Sequence, residues 1–256
     1  MLHAVWPAAH QALLAGLFTW SVTALGAGLV FFFAKAARQV MDGLMGFAAG
    51  VMLASAFFSL LSPGISLAEE LGQSPWLTAA AGFLAGGLLP EGCEHLLRRR
   101  MRNLSDASRR QRMLISAITL HNIPEGLAVG VAFGALASGE PATGAWMLAL
   151  GIGLQNFPEG AAVSLPLRRD GMTRCRAFFL GQLSGAVEPV AAVAGAIIAA
   201  GVQTVLPFAL CFAAGAMVAV AAAELIPESQ QERPGWGALW LLAGFVAMMV
   251  LDVALG

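Results

Sequence analysis

The feature that most constrains this chain is the spacing of its polar interruptions. Apolar runs of about 20 residues, the length of helix that crosses ~30 Å of hydrocarbon, follow one another with only short polar segments between them. Lipid offers no partner to a backbone N–H or C=O, so each run must close its own hydrogen bonds as a helix. The weak alternating pattern of a membrane barrel is absent. With 58% hydrophobic and 11% charged residues, against roughly 25% charged in a soluble domain, the chain cannot cover itself with a water-compatible surface. The expected class is an all-α, polytopic membrane protein.

Eight transmembrane helices are predicted, at about 11–34, 41–62, 75–97, 113–137, 145–167, 177–201, 206–226 and 236–254, forming one domain over 1–256. Lys and Arg in short loops are retained on the cytoplasmic side, and all 14 of them fall on alternate connections. Lys35 and Arg38 follow span one, and Arg98, Arg99, Arg100, Arg102, Arg109, Arg110 and Arg112 follow span three. Arg168, Arg169, Arg174 and Arg176 follow span five, and Arg233 follows span seven. The opposite connections hold Glu69, Glu70 and Glu140 and no base. Both termini are therefore expected to be non-cytoplasmic, which requires an even number of spans. Residues Met1 to His10 carry no Lys or Arg, so the first run reads as a permanent span and not as a cleaved signal.

Smaller features fit the same picture. The chain has no Tyr, and Trp76, Trp146 and Trp236 fall at span ends, where interfacial aromatics anchor a helix. The arginine-rich connection 98–112 reads as a topology signal with attraction to anionic lipid, and binding of nucleic acid is not expected. Cys93, Cys175 and Cys211 are far apart and form no CxxC, which argues against a disulfide framework or thiolate site. Gly46/Gly50, Gly82/Gly86, Gly130/Gly134 and Gly181/Gly185 are GxxxG pairs that permit close helix approach within the bundle.

Against this background the polar residues inside the spans stand out. Span four contains His121-Asn122-Ile123-Pro124-Glu125-Gly126 and span five contains Gln155-Asn156-Phe157-Pro158-Glu159-Gly160. In each, a nitrogen or amide side chain precedes a Glu by four residues, one helical turn away on the same face. The intervening Pro cannot donate to the helical ladder and releases a backbone carbonyl, so a kink is expected at each. Counted from the nearest basic residue at about 1.5 Å per residue, His121 lies about 14 Å deep, Glu125 about 20 Å, Glu159 about 14 Å and Glu188 in span six about 18 Å. Met52, counted from Asp42, lies about 15 Å deep.

A carboxylate at helix centre costs about 2.5–3.5 kcal/mol on insertion scales, so three would cost roughly 8–10 kcal/mol facing lipid. One buried layer of carboxylates, imidazole and amides points to a cation site. Imidazole suits zinc and its first-row neighbours, whereas magnesium and calcium prefer all-oxygen sites, and a Met52 thioether would shift the preference further from hard ions. Glu91, Glu94 and His95 near the inner end of span three share a helix face and are spaced to receive outgoing metal.

The motifs HNIPEG and QNFPEG, with AVEPV around Glu188, resemble the paired signature of the ZIP (Zrt/Irt-like) divalent metal transporters, in particular their smaller bacterial members. The resemblance covers essentially the whole chain. It implies uptake of zinc, with Cd2+, Fe2+ and Mn2+ as further substrates, across a bacterial cytoplasmic membrane into the cytoplasm. It also implies a homodimer, no prosthetic group, and an inverted relation between spans one to three and six to eight, with one helix group moving against the other. By the same resemblance Met52, His121, Glu125, Gln155 and Glu159 would form one metal site. Asn122, Glu125, Asn156, Glu159 and Glu188 would form a second, and Glu224 would stand on the exit path.

Some relatives carry an acid where this chain has Asn156. Three carboxylates with one divalent ion leave a net −1 and with two a net +1, an uncompensated positive charge that is disfavoured where the dielectric is low, so the amide disfavours simultaneous occupancy. The rival class, a membrane-embedded metal-dependent hydrolase, would need an open coordination position beside a substrate cavity. The chain offers neither an HExxH nor a Ser-His pattern, so an enzyme is not expected. No GxxxxGK[ST] loop is present to draw on ATP.

Overall fold

A computed structural model describes residues 2–33, 38–100, 119, 122–138, 142–201 and 203–255. Among the described residues the chain is helical and contains no strand, arranged as eight rods. They are α1 (Leu2–Ala27), α2 (38–70), α3 (Pro75–Arg100), α4 (122–134), α5 (Ala142–Arg169), α6 (Arg174–Gly201), α7 (Leu206–Ser229) and α8 (Pro234–Leu255). Each overlaps one predicted span; α1 begins nine residues earlier, at Leu2 against 11, and α2 ends eight residues later, at Glu70 against 62, while the ends of α3 and α5 to α8 differ by three residues or fewer. Hydropathy reads the part of a helix that lipid surrounds, whereas the hydrogen-bond ladder continues through any sequence that does not break it.

By length and apolar composition, five of the rods can cross a membrane: Trp6–Phe31, Gln39–Glu70, Arg174–Gly201, Leu206–Ser229 and Gly235–Ala254. The other three fall short for identifiable reasons. α3, with 26 residues, carries Glu91, Glu94, His95 and three arginines at one end, and α5, with 28, carries Gln155, Asn156 and Glu159. α4 is described over only part of its predicted length. Large apolar side chains lie on the outside, among them Leu84 and Leu88 on α3 and Leu239, Leu242 and Val253 on α8. Soluble proteins avoid such patches. Trp76 and Trp236 are exposed as expected of anchors, but Trp146 instead packs edge-on against Phe133, with ring centroids 5.2 Å apart.

Three prolines shape the rods. In α2 the ladder widens to a π turn over Ala56–Leu61 before Pro63, and in α7 over Ala221–Leu225 before Pro227. A proline has no N–H for the carbonyl four residues back, and a ladder that steps to the next N–H becomes a π turn. In α6, Pro189 coincides with an outright break, the helix stopping at Gly185 and restarting at Glu188. Pro158 of the second motif behaves differently, since α5 runs without interruption through it.

Glycine sets the packing. A Cβ on Gly26 or Gly160 would strike the backbone of α5 or α1, one on Gly130 the backbone of α6, one on Gly46 or Gly50 the backbone of α8, and one on Gly86 the backbone of α7. All four GxxxG pairs thus lie at contacts inside the bundle, where helices in lipid gain dispersion energy from close approach. The main core cluster includes Met52, Val129, Phe133, Ile152 and Met217, from α2, α4, α5 and α7, and the site described next lies within it.

Candidate functional site

Among the predicted ligands on the described residues, Glu125, Gln155, Asn156, Glu159 and Glu188 lie near one another inside the bundle. Met52 on α2, Asn122 and Glu125 on α4, Gln155, Asn156 and Glu159 on α5 and Glu188 on α6 are all buried. Small residues beside several of them let the rods close in: Ala48 and Ala56 flank Met52, Gly151 precedes Gln155, Gly160 follows Asn156, and Gly185 and Ala192 flank Glu188. Glu125 lies within electrostatic reach of both Glu159 and Glu188, and Glu159 within reach of Glu188 and Glu224.

The hydrogen bonds divide this cluster in two. Glu188 has a donor on each oxygen: Thr23 Oγ1 donates to Oε1 at 3.2 Å and Asn156 Nδ2 to Oε2 at 2.8 Å. Asn156 Nδ2 also donates to the Thr19 carbonyl at 3.3 Å. On the other side, Gln155 Nε2 donates to Glu125 Oε1 at 2.5 Å. The remaining polar atoms have no protein partner: Glu125 Oε2, both carboxyl oxygens of Glu159, Gln155 Oε1, Asn156 Oδ1, and both Oδ1 and Nδ2 of Asn122. Buried polar atoms are normally satisfied. Apart from Ser55 and Ser164, every unpartnered buried side-chain atom among the described residues belongs to a predicted ligand.

Six of those atoms are oxygens, the donor type a divalent cation takes alongside nitrogen and thioether. His121 lies outside the described residues, and among the described residues no three His, Cys, Asp or Glu side chains close on a common point. A cation held here would take amide oxygens in addition to carboxylates.

Of the residues placed on an exit route, Glu91 and His95 are exposed on α3, which packs on α7. The side chain of Glu94 lies outside the described set. Glu224 is half-buried in the π turn of α7 and near enough to Glu159 to act on its charge.

Sequence reasoning passed over three features. Thr19 and Thr23, one turn apart on α1, are buried against the site. Ser55, one turn from Met52, has a buried hydroxyl without a partner. A cavity of about 280 Å3 opens where α2 ends and α5 begins, lined by Ser59, Ser66, Glu70 and Asp252, and Ser59 Oγ donates to both oxygens of Asp252 at 3.1 Å. Each is a polar side chain within an otherwise apolar stretch.

A family model described as ZIP zinc transporter matches residues 94–252. The chain is 41% identical to a protein named Zinc transporter ZIP11 from Xenopus tropicalis, over 96% of this chain and 97% of that protein. It is 39% identical to Zinc transporter GufA of Myxococcus xanthus, over 95% and 98% of the two chains. With Zinc transporter ZIPB of Bordetella bronchiseptica it shares 38% identity over 96% and 81%. The motifs, the helical bundle and these matches agree, and the chain belongs to the ZIP zinc transporter family.

Proposed function

We propose that the protein carries divalent transition-metal ions, zinc foremost, into the cytoplasm through the buried cluster at its centre. The observation that carries this reading is the set of unpartnered oxygens on Glu125, Glu159, Gln155, Asn156 and Asn122 in a bundle whose other buried polar groups are almost all satisfied. Met52, His121, Glu125, Gln155 and Glu159 are the ligands of the transported ion, with Asn122, Asn156 and Glu188 completing the polar wall. The names of the relatives support zinc as the substrate and transport as the activity. They lend nothing to a hydrolase.

In this reading the eight rods all span the cytoplasmic membrane with both termini outside, and the protein acts as a homodimer. The cavity beside Asp252 opens on the outer side and Glu224 faces the inner one. Transport moves α1, α4, α5 and α6 against α2, α3, α7 and α8. The packing supports that division: among the described glycines, contacts with another helix's backbone fall within one group or the other. Gly151 on α5 meets the second group only through the side chains of Met248 and Ser55.

The test is zinc influx into liposomes holding the purified protein, compared with cadmium, iron and manganese. Glu125→Ala and Glu159→Ala should each cut zinc influx by more than the ~10–100-fold that loss of a ligand's supporting contact costs. Wild-type influx from folded, inserted protein in both variants would overturn the assignment.

A further inference from the structure

We propose that Glu188 is withheld from the transported ion by a hydrogen-bonded clamp formed by Thr23 and Asn156, so that the site takes a single divalent cation and Thr23 is a positioning residue for transport. This rests on the site reading above and departs from a two-ion arrangement.

The geometry separates Glu188 from the other two glutamates. Both its oxygens accept hydrogen bonds, from α1 and from α5, whereas Glu159 has two free oxygens and Glu125 one. Asn156 turns its NH2 group toward Glu188 and leaves only Oδ1 unpartnered. An amide nitrogen is a hydrogen-bond donor with no acceptor capacity, so in this orientation it stands where a second cation would have to bridge Asn156 and Glu188.

The surroundings are cut to hold that arrangement. Thr23, Asn156 and Glu188 are each at most 1% exposed. A Cβ at Gly185 would lie 2.8 Å from Glu188 Oε1 and 3.0 Å from Thr23 Oγ1, so only glycine leaves the clamp its space. Glu188 is the first residue of the restarted helix after the break in α6, which aims its side chain back across α1 and α5. The Thr23 hydroxyl also contacts the Thr19 carbonyl at 3.3 Å, and the Asn156 amide contacts the same carbonyl. The clamp therefore ties three rods together around one carboxyl group.

The experiment measures zinc bound per chain by equilibrium dialysis of the purified full-length protein, with zinc alone as the probe. Wild type should bind one zinc at this site, Glu188→Gln should keep that stoichiometry, and Asn156→Asp, which replaces the donor by a carboxylate, should admit a second ion. Thr23→Val should change the zinc Kd at least threefold, and Thr23→Ser should restore it. In a Glu188→Gln background Thr23→Val should have little further effect, because the threonine acts through that side chain and a double-mutant cycle isolates the coupling.

Two zinc ions per wild-type chain, with the second lost in Glu188→Gln, would overturn the clamp. So would a Thr23→Val effect of the same size in both backgrounds, the mark of a merely structural threonine. Zinc binding untouched by Glu125→Ala would instead sink the site itself, and the clamp with it.

Discussion

Glu125 and Glu159 share a layer with Glu188 but not its partners, and their free oxygens are where metal and protons compete. A carboxylate or imidazole must give up its proton to bind metal, so binding weakens as pH falls and releases protons as it proceeds. Apparent zinc affinity should therefore decline from about pH 7.5 to about pH 5.5, and His121→Ala should flatten the decline without removing it, the carboxylates supplying the rest. Calorimetry in buffers of different ionisation enthalpy counts the protons; none released over that range would refute proton competition. At this scale the sequence was informative where a charge interrupts an apolar run, because nothing but a partner or a function keeps Glu125 or Glu159 in the hydrocarbon layer. Thr23 left no such mark. A threonine hydroxyl in a helix can satisfy itself on the carbonyl one turn back, so its reach to Glu188 became visible only once α1 was packed against α6.

Among the rods, the close contacts make a sharper statement than helix propensity does. The same substitution should have opposite outcomes at two glycines of α5. A Cβ at Gly160 would collide with the Thr23 carbonyl, while one at Gly144 meets nothing within 4 Å. Gly160→Ala should cost about 1–3 kcal/mol, as overpacking does, and Gly144→Ala should be neutral or slightly stabilising. Thermal unfolding in detergent compares them, and equal shifts would mean that the α1–α5 contact is not tight. The positions of the rods were readable from apolar length, and the GxxxG pairs from spacing. The π turns were not, because Pro63 and Pro227 signal a disturbed ladder without saying whether it kinks, breaks or widens. Pro158 and Pro189 show that spread of outcomes, one inside a continuous helix and the other beside a break.

For the molecule as a whole, the one-sided placement of Lys and Arg predicts which end of the bundle meets the cytoplasm. With the native cysteines replaced, a cysteine at Ser105 should resist an impermeant label applied outside intact cells, and one at Ser74 should react. The reverse pattern would invert the direction of transport proposed here. The three rods that fail the composition test are expected to be spans on another ground, because the charge alternation requires a crossing between each pair of connections. The π turn in α2 bears on this whole-molecule arrangement. Met52 and Ser59 are seven residues apart, a spacing that an uninterrupted α-helix would turn to nearly the same azimuth. The widened turn at Ala56–Leu61 absorbs part of that rotation. One helix thereby serves two audiences, showing its thioether to the central cluster and, two turns further along, its hydroxyl to Asp252 on α8.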